Sequence, residues 1–192
     1  MISPKKPRWV FGYGSLMWNP GFATPETQPA RLQGWHRACC IYSEHYRGTP
    51  KEPGLILGLL PGGACRGLAH RLPAATYGEV RRYLIDREIN NDGVYQETIR
   101  PIHLDDGRTV PALVYLADRR HRQFAGKLPL ATAAALVRRG RGATGTNLEY
   151  VLNTVAHLGD LGLHDPALEA LAKRASVSGA PTRSRTPPSR RS

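Results

Sequence analysis

No run of this sequence comes near the roughly 20 consecutive apolar residues of a membrane span, so no membrane association is expected. Two lysines stand at positions 5 and 6, but no continuous apolar segment follows them. A secretion signal is therefore not expected, and the cytoplasm is the expected compartment. Cysteine is scarce: Cys39, Cys40 and Cys65 are the only three, and none has C-x-x-C spacing. An odd count without a signal reads as free thiols in a reducing compartment. The seven histidines form no H-x-x-x-H pair, so no metal is expected. There is no G-x-S-x-G elbow, and the glycine-rich "GRGATGTN" (140–147) lacks the Lys-Ser/Thr ending of a phosphate loop.

Acids are also in the minority, 15 against 27 basic residues, for a net charge of +12. The excess is partly local. Arg183, Arg185, Arg190 and Arg191 fall in the last ten residues, which hold no acid, and "RRHR" (119–122) and "RRGR" (138–141) are the other clusters. Clusters this loose are ordinarily solvated faces or helix ends, so nucleic-acid binding is not favoured as the main function.

At 192 residues the chain is long enough for one domain with a real core. From Ser176 onward, "SVSGAPTRSRTPPSRRS" is too poor in apolar residues to offset the entropy of ordering, and reads as a disordered basic tail (176–192). Residues 1–8 read as an N-terminal extension and 9–175 as the domain.

Within the domain, "WVF" near 9–13 reads as a buried strand and "GWHRACCIYSE" (34–44) as a second. "GLILGLLPG" and "CRGLAHRL" read as two strands joined by a turn at "PGGA", and "YQETIRPIHL" and "TVPALVYLAD" as a hairpin around "DDGR". "PAATYGEVRRYLIDRE" reads as a helix opened by a Thr76–Glu79 capping box, with Val80, Tyr83 and Leu84 as its apolar stripe. Three more helices are expected at Leu130–Arg138, after a Thr146–Glu149 capping box, and through "PALEALAKRA". The second of these carries Leu148, Val151, Leu152, Val155 and Leu158 on one face. Strands first and helices last make an α+β class.

Two stretches could carry chemistry. In "FGYGSL" two glycines, a tyrosine and a serine follow the first strand. This is either a plain turn or a loop whose N–H groups cradle a carboxylate or oxyanion. In "LIDREINNDGVYQ", Arg87 and Glu88 end a helix. A carboxylate at the negative end of the helix dipole is either a solvated acid paired with Arg87 or Arg82, or a charge retained for function.

Five separated stretches, "WVFGYGSLMW", "YRGTPKEPG", "RGLAHRL", "YLIDRE…GVY" and "ATGTNLEYVLN", together resemble the ChaC-like γ-glutamylcyclotransferases, over about Trp9 to Ala172. The hairpin and the "GATGTNLEYVLNTV" helix look most like the bacterial branch. The resemblance implies a small mixed β-barrel with flanking helices. It implies cleavage of a small γ-glutamyl substrate, usually glutathione, to 5-oxoproline and Cys-Gly, without cofactor. It makes Glu88 the general base. It places the γ-glutamyl group on Val10, Phe11, Gly12, Tyr13, Gly14, Ser15 and Leu16, with Arg47 and Tyr115 as further substrate contacts. Glu79 is left to helix capping and Tyr150 to packing, and His70 stands at a place expected to face the cavity. Other γ-glutamyl amines, or a non-catalytic role as a basic binding module for nucleic acid or acidic partners, are the competing readings.

Overall fold

The run Trp9–Gly12 is buried at every position, as a strand covered on both faces must be, and it forms β1. The computed structural model describes residues 7–90 and 93–177. β2 (Thr27–Ser43) and β3 (Gly54–Arg71) form a long antiparallel ribbon, and β4 (Tyr95–Leu104) and β5 (Thr109–Ala117) form the expected hairpin. The five strands close into a barrel in the order β1-β3-β2-β4-β5. It is mixed, because β1 is antiparallel to β3 and parallel to β5. α1 (Tyr77–Ile85) connects β3 to β4, whereas α2 (Leu130–Arg139), α3 (Asn147–Asp160) and α4 (Pro166–Ser176) follow the barrel. Two short strands, β6 (Arg141–Gly142) and β7 (Gly145–Thr146), pair in the α2–α3 connection. The architecture is α+β, as the sequence implies.

Two seams of the barrel are narrow. β2 meets β4 only at Ala30–Leu104 and Arg31–His103, and β1 meets β5 only at Trp9–Ala112 and Val10–Leu113. Beyond Val10 the first strand parts from β5, and the chain turns into residues 13–17. That parting makes the opening in which the site lies.

Three expectations are corrected. "PGGA" is a bend and not a reversal: β3 runs through it, with Gly62 and Gly63 at φ 99° and 67° facing Gly34 at φ 82°. Glycine relieves the Cβ clash that positive φ imposes, so three glycines let the ribbon curl where a bulge shifts its register between Gln33 and Trp35. β2 also begins at Thr27 rather than near 34, because its first half buries only Ala30 and Leu32. The Thr76–Glu79 capping box does not form. Thr76 sits at φ −111°, ψ 19° and makes no side-chain cap bond, whereas capping needs extended backbone. Thr146, at φ −77°, ψ 151°, closes the box with Glu149 in both directions.

α1 stops at Ile85 and gives way to a π-turn over Asp86–Asn90. Leu152 of α3 is 42% exposed, and the polar Asn147 and Thr154 are buried on that helix instead. Ser176 closes α4, and the rest of the expected tail lies outside the described residues from position 178 on. The expected extension likewise falls outside them over 1–6, although Arg8 already accepts a bond from Leu72 N–H at 2.7 Å.

Asn147 shows how α3 is fixed to the barrel. Its Oδ1 accepts from Leu55 N–H at 2.6 Å and its Nδ2 donates to Leu55 C=O at 2.7 Å, fully buried. Asn147→Ala leaves both backbone groups of Leu55 without partners, and should lower stability by about 2–4 kcal/mol. Urea denaturation checks this; a loss below roughly 0.5 kcal/mol would mean the pair is not a principal tie.

Candidate active site

The loop after β1 folds back on itself. A 3₁₀ turn over Ser15–Met17 closes with Met17 N–H donating to Gly14 C=O at 2.9 Å. A Cβ on Gly12 would stand 3.1 Å from Leu16 Cβ and 3.2 Å from Met17 N, so this glycine makes room for the turn itself. A Cβ on Gly14, by contrast, would meet only Leu57 Cδ1, at an ordinary 3.5 Å, and Gly14 walls the recess. Val10 and Phe11 have no exposure. Val10 packs with Leu84, Leu113 and Tyr115, and Phe11 lies in the main core. Their alternating side chains anchor the strand, and neither lines the cavity.

Glu88 arrives from the other side. Val80 and Leu84 are the buried residues of α1, and Glu88 continues their four-residue spacing onto the same face. The apolar stripe of the helix thus ends in an acid. The π-turn carries it, a distortion common at functional sites, and its side chain is only 17% exposed. It is not the solvated surface acid that the sequence left open.

Two cavities meet at this carboxylate. An inner recess of about 50 Å³ is walled by Tyr13, Gly14, Ser15, Leu16, Leu57, Glu88, Tyr95, Tyr115 and Tyr150. An outer cavity of about 520 Å³ shares Ser15, Glu88, Tyr95 and Tyr150 with it and adds Arg47, Tyr46, Trp18, Asn153 and His157, among others. A cavity of about 430 Å³ beneath α2 and α4 contains no acid in its apolar lining and lies apart from Glu88.

The tyrosines define the recess. Tyr13 Oη donates to Tyr115 C=O at 2.8 Å, and Tyr95 Oη donates to Leu57 C=O at 2.5 Å. Tyr115 Oη donates to Glu97 at 3.2 Å, and Glu97 pairs in turn with Arg81. Tyr150 Oη accepts from Leu57 N–H at 3.2 Å, which leaves its own proton for an acceptor in the recess. Burial pushes all four phenols above their usual range, so they stay neutral. Burial also raises the Glu88 carboxyl, and Arg87 beside it partly opposes the rise. Burial raises the thiols as well, Cys40 to about 12 and Cys65 to about 11, which removes a cysteine nucleophile at neutral pH.

The structure therefore brings together Tyr13, Gly14, Ser15, Leu16, Tyr115 and Glu88, with Arg47 one layer out. Arg47 Nη1 donates to Thr144 C=O at 2.6 Å and its guanidinium lies 5.2 Å from the Tyr150 ring centroid. Tyr150 packs against the core, as expected, and also lines both cavities. His70 is not at the cavity: it is buried, with Nδ1 3.1 Å from Thr27 Oγ1. Glu79 is exposed on α1. Trp18 and His157, stacked with ring centroids 4.4 Å apart, were missed; no spacing links positions 139 residues apart.

This barrel, with a half-buried carboxylate at its mouth, is the γ-glutamylcyclotransferase fold. A crystal structure of a γ-glutamyl cyclotransferase specific to glutathione from yeast matches it with a TM-score of 0.79, at 22% identity, over 87% of this chain and 94% of that one. YkqA from Bacillus subtilis matches with a TM-score of 0.56 at 20% identity, over 89% of this chain and 55% of that one. The chain belongs to the ChaC-like protein family, whose profile matches residues 8–177. The glutathione-specific γ-glutamylcyclotransferase of Escherichia coli (strain K12) is 40% identical over 165 residues, 86% of this chain and 71% of the relative. That of Schizosaccharomyces pombe is 33% identical over 169 residues, 78% of this chain and 82% of the relative.

A raised carboxyl has a consequence for stability. An acid that holds its proton more tightly when folded destabilises the fold while ionised, and that penalty fades as pH falls through the folded-state value. Glu88→Gln should thus melt higher than the parent at pH 7.5, by about 2–4 °C for each kcal/mol relieved. The two melting curves should converge near pH 4. An equal or lower melting temperature for the variant at pH 7.5 would show that Arg87 fully compensates the buried charge.

Proposed function

We infer that this chain is a glutathione-specific γ-glutamylcyclotransferase, releasing 5-oxoproline and Cys-Gly. The observation that carries the reading is the position of Glu88, half-buried where a narrow recess opens into a wide polar cavity. A γ-glutamyl group enters the recess by its α-amino acid end, and the outer cavity takes the dipeptide leaving group. Arg47 supplies a cation there for the terminal carboxylate.

The α-ammonium of the substrate, with a pKa of about 8, must lose a proton before it attacks. Glu88 accepts that proton. Its raised affinity for protons brings it closer to the amine and makes it a better-matched base than an exposed glutamate. The freed amine attacks the γ-carbonyl, and a C–N bond closes the five-membered lactam. The ring nitrogen gives up its second proton as the old amide C–N bond breaks, and Glu88 relays both protons to the departing amine, which leaves as its ammonium. No water is consumed. The N–H groups of Ser15 and Leu16, first in their 3₁₀ turn, have no acceptor within it, and both residues wall the recess. They can stabilise the oxyanion. Orienting an amine and carbonyl already joined in one molecule contributes on the order of 7–11 kcal/mol. Free, buried thiols fit a reducing compartment, and the cytoplasm is the location we assign.

Purified protein incubated with reduced glutathione should yield equal amounts of 5-oxoproline and Cys-Gly by mass spectrometry. Glu88→Gln should lower kcat roughly 100- to 10,000-fold. Turnover of γ-glutamyl amino acids but not glutathione would reassign the substrate, and an active Glu88→Gln would remove Glu88 from the base role.

A further inference from the structure

We propose that Arg87 is a positioning residue for this reaction, a clamp that ties the loop after β1 to the π-turn and so holds Glu88 at the mouth of the recess. The inference rests on the reading of Glu88 as the proton-transferring group. Arg87 Nε pairs with Glu88 Oε1 at 3.1 Å. Its Nη2 donates to Ser15 Oγ at 2.9 Å, and its Nη1 donates to Asn19 C=O at 2.7 Å and to Tyr83 Oη at 2.8 Å. One guanidinium therefore reaches the carboxylate, the serine of the turn, a carbonyl beyond the turn and the last stretch of α1. With its side chain 20% exposed, it is screened little by solvent.

The shape of the group matters as much as its charge. Guanidinium presents fixed, diverging N–H donors, and an ammonium offers a point charge on a flexible stem. Only the former can hold Glu88 and Ser15 on separate nitrogens while a third reaches Asn19. Serine and glutamate line both cavities, so their separation sets the spacing between substrate and base. A misplacement near 1 Å lowers rate by roughly 100-fold.

The charge has a second role. Facing Glu88 are Tyr13 from the loop, Tyr95 from β4, Tyr115 from β5 and Tyr150 from α3, all neutral; Arg47 and His157 line the outer cavity farther out. Among the described residues, Arg87 forms an ion pair with the carboxylate. Without it, burial would raise the carboxyl further, since Arg87 is what opposes the desolvation.

Two substitutions separate shape from charge. Arg87→Met removes both, and Arg87→Lys keeps the charge. The side-chain carboxyl of Glu88 is followed by carbon-13 NMR across pH, beside the pH profile of kcat/KM on glutathione. In Arg87→Met the carboxyl should titrate at higher pH than in the parent, the acid limb of kcat/KM should move with it, and kcat should fall roughly 100-fold with KM changed less than about threefold. In Arg87→Lys the titration should stay near the parent's while kcat still falls. An unchanged titration and acid limb in Arg87→Met would overturn the proposal. The titration needs no substrate, so it judges the clamp even if glutathione proves not to be turned over. If Arg87→Met fails to fold, Tyr83→Phe removes one acceptor at a residue 37% exposed. It should lower kcat severalfold at constant KM, and an unchanged kcat would equally overturn the clamp.

Discussion

One buried guanidinium, that of Arg37, holds together the parts on which the site depends. From β2 its Nε donates to Tyr13 C=O at 2.6 Å, its Nη2 to Arg66 C=O of β3 at 2.7 Å, and its Nη1 to Asp165 at 3.0 Å. Asp165 in turn caps α4 by accepting from Leu168 N–H at 3.1 Å. A charge this buried is tolerable only when paired and hydrogen-bonded. The requirement works as a constraint: the loop, the ribbon and the last helix must be in register before Arg37 is satisfied. Replacing the whole network with apolar side chains need not weaken the fold, but the loop would then lose its tie to β2.

The site follows from that constraint. Tyr13 is gripped at both ends, its carbonyl by Arg37 and its hydroxyl by the carbonyl of Tyr115. The turn at Ser15–Met17 therefore stands at a set distance from β5 and from the π-turn. The tyrosines around the recess bond to Leu57 and Tyr115 backbone or to Glu97. They give it a rigid wall that carries no charge. A carboxylate placed there cannot be well solvated, and its affinity for protons rises. On the proposed reading, the same burial that weakens the fold at neutral pH fits Glu88 to accept a proton from an amine. Local destabilisation at a working residue is the usual relation between stability and activity.

Much of this was legible where local rules act alone. The apolar run of β1, the hairpin around "DDGR" and the box Thr146–Glu149 depend on near neighbours, and they appear as read. Even Glu88 has a local signal, since positions 80, 84 and 88 share a helical face and an acid at the end of a buried stripe is anomalous. The readings that failed depend on distant partners. Whether "PGGA" reverses the chain or bends it is decided by Gly34 on the opposite strand. Whether Thr76 caps is decided by how β3 hands the chain to α1. Val10 and Phe11 belong to the motif in sequence, yet strand alternation sends their side chains into two core clusters. Arg37 carries no sequence mark at all: a basic residue in a strand reads as solvent-facing until Asp165, 128 residues later, arrives beside it.

The chemistry asks little beyond this frame. In a γ-glutamyl amide the nucleophile and the electrophile already sit on one chain, so a covalent enzyme nucleophile adds nothing, and the buried thiols here are unfit to serve as one. What remains is to fold the glutamyl chain so that amine meets carbonyl, to relay protons from the attacking to the leaving nitrogen, and to stabilise one oxyanion. On the proposed reading, the recess of about 50 Å³ beside Glu88 serves the first. On the same reading, the carboxylate of Glu88 on its helix face serves the second, and the N–H groups at the start of the Ser15–Met17 turn serve the third. Each of these comes from a different strand or helix end, joined at a barrel mouth whose seams are only two residue pairs wide. Arg37 and Asn147 tie the loop after β1 and the start of α3 to the barrel strands.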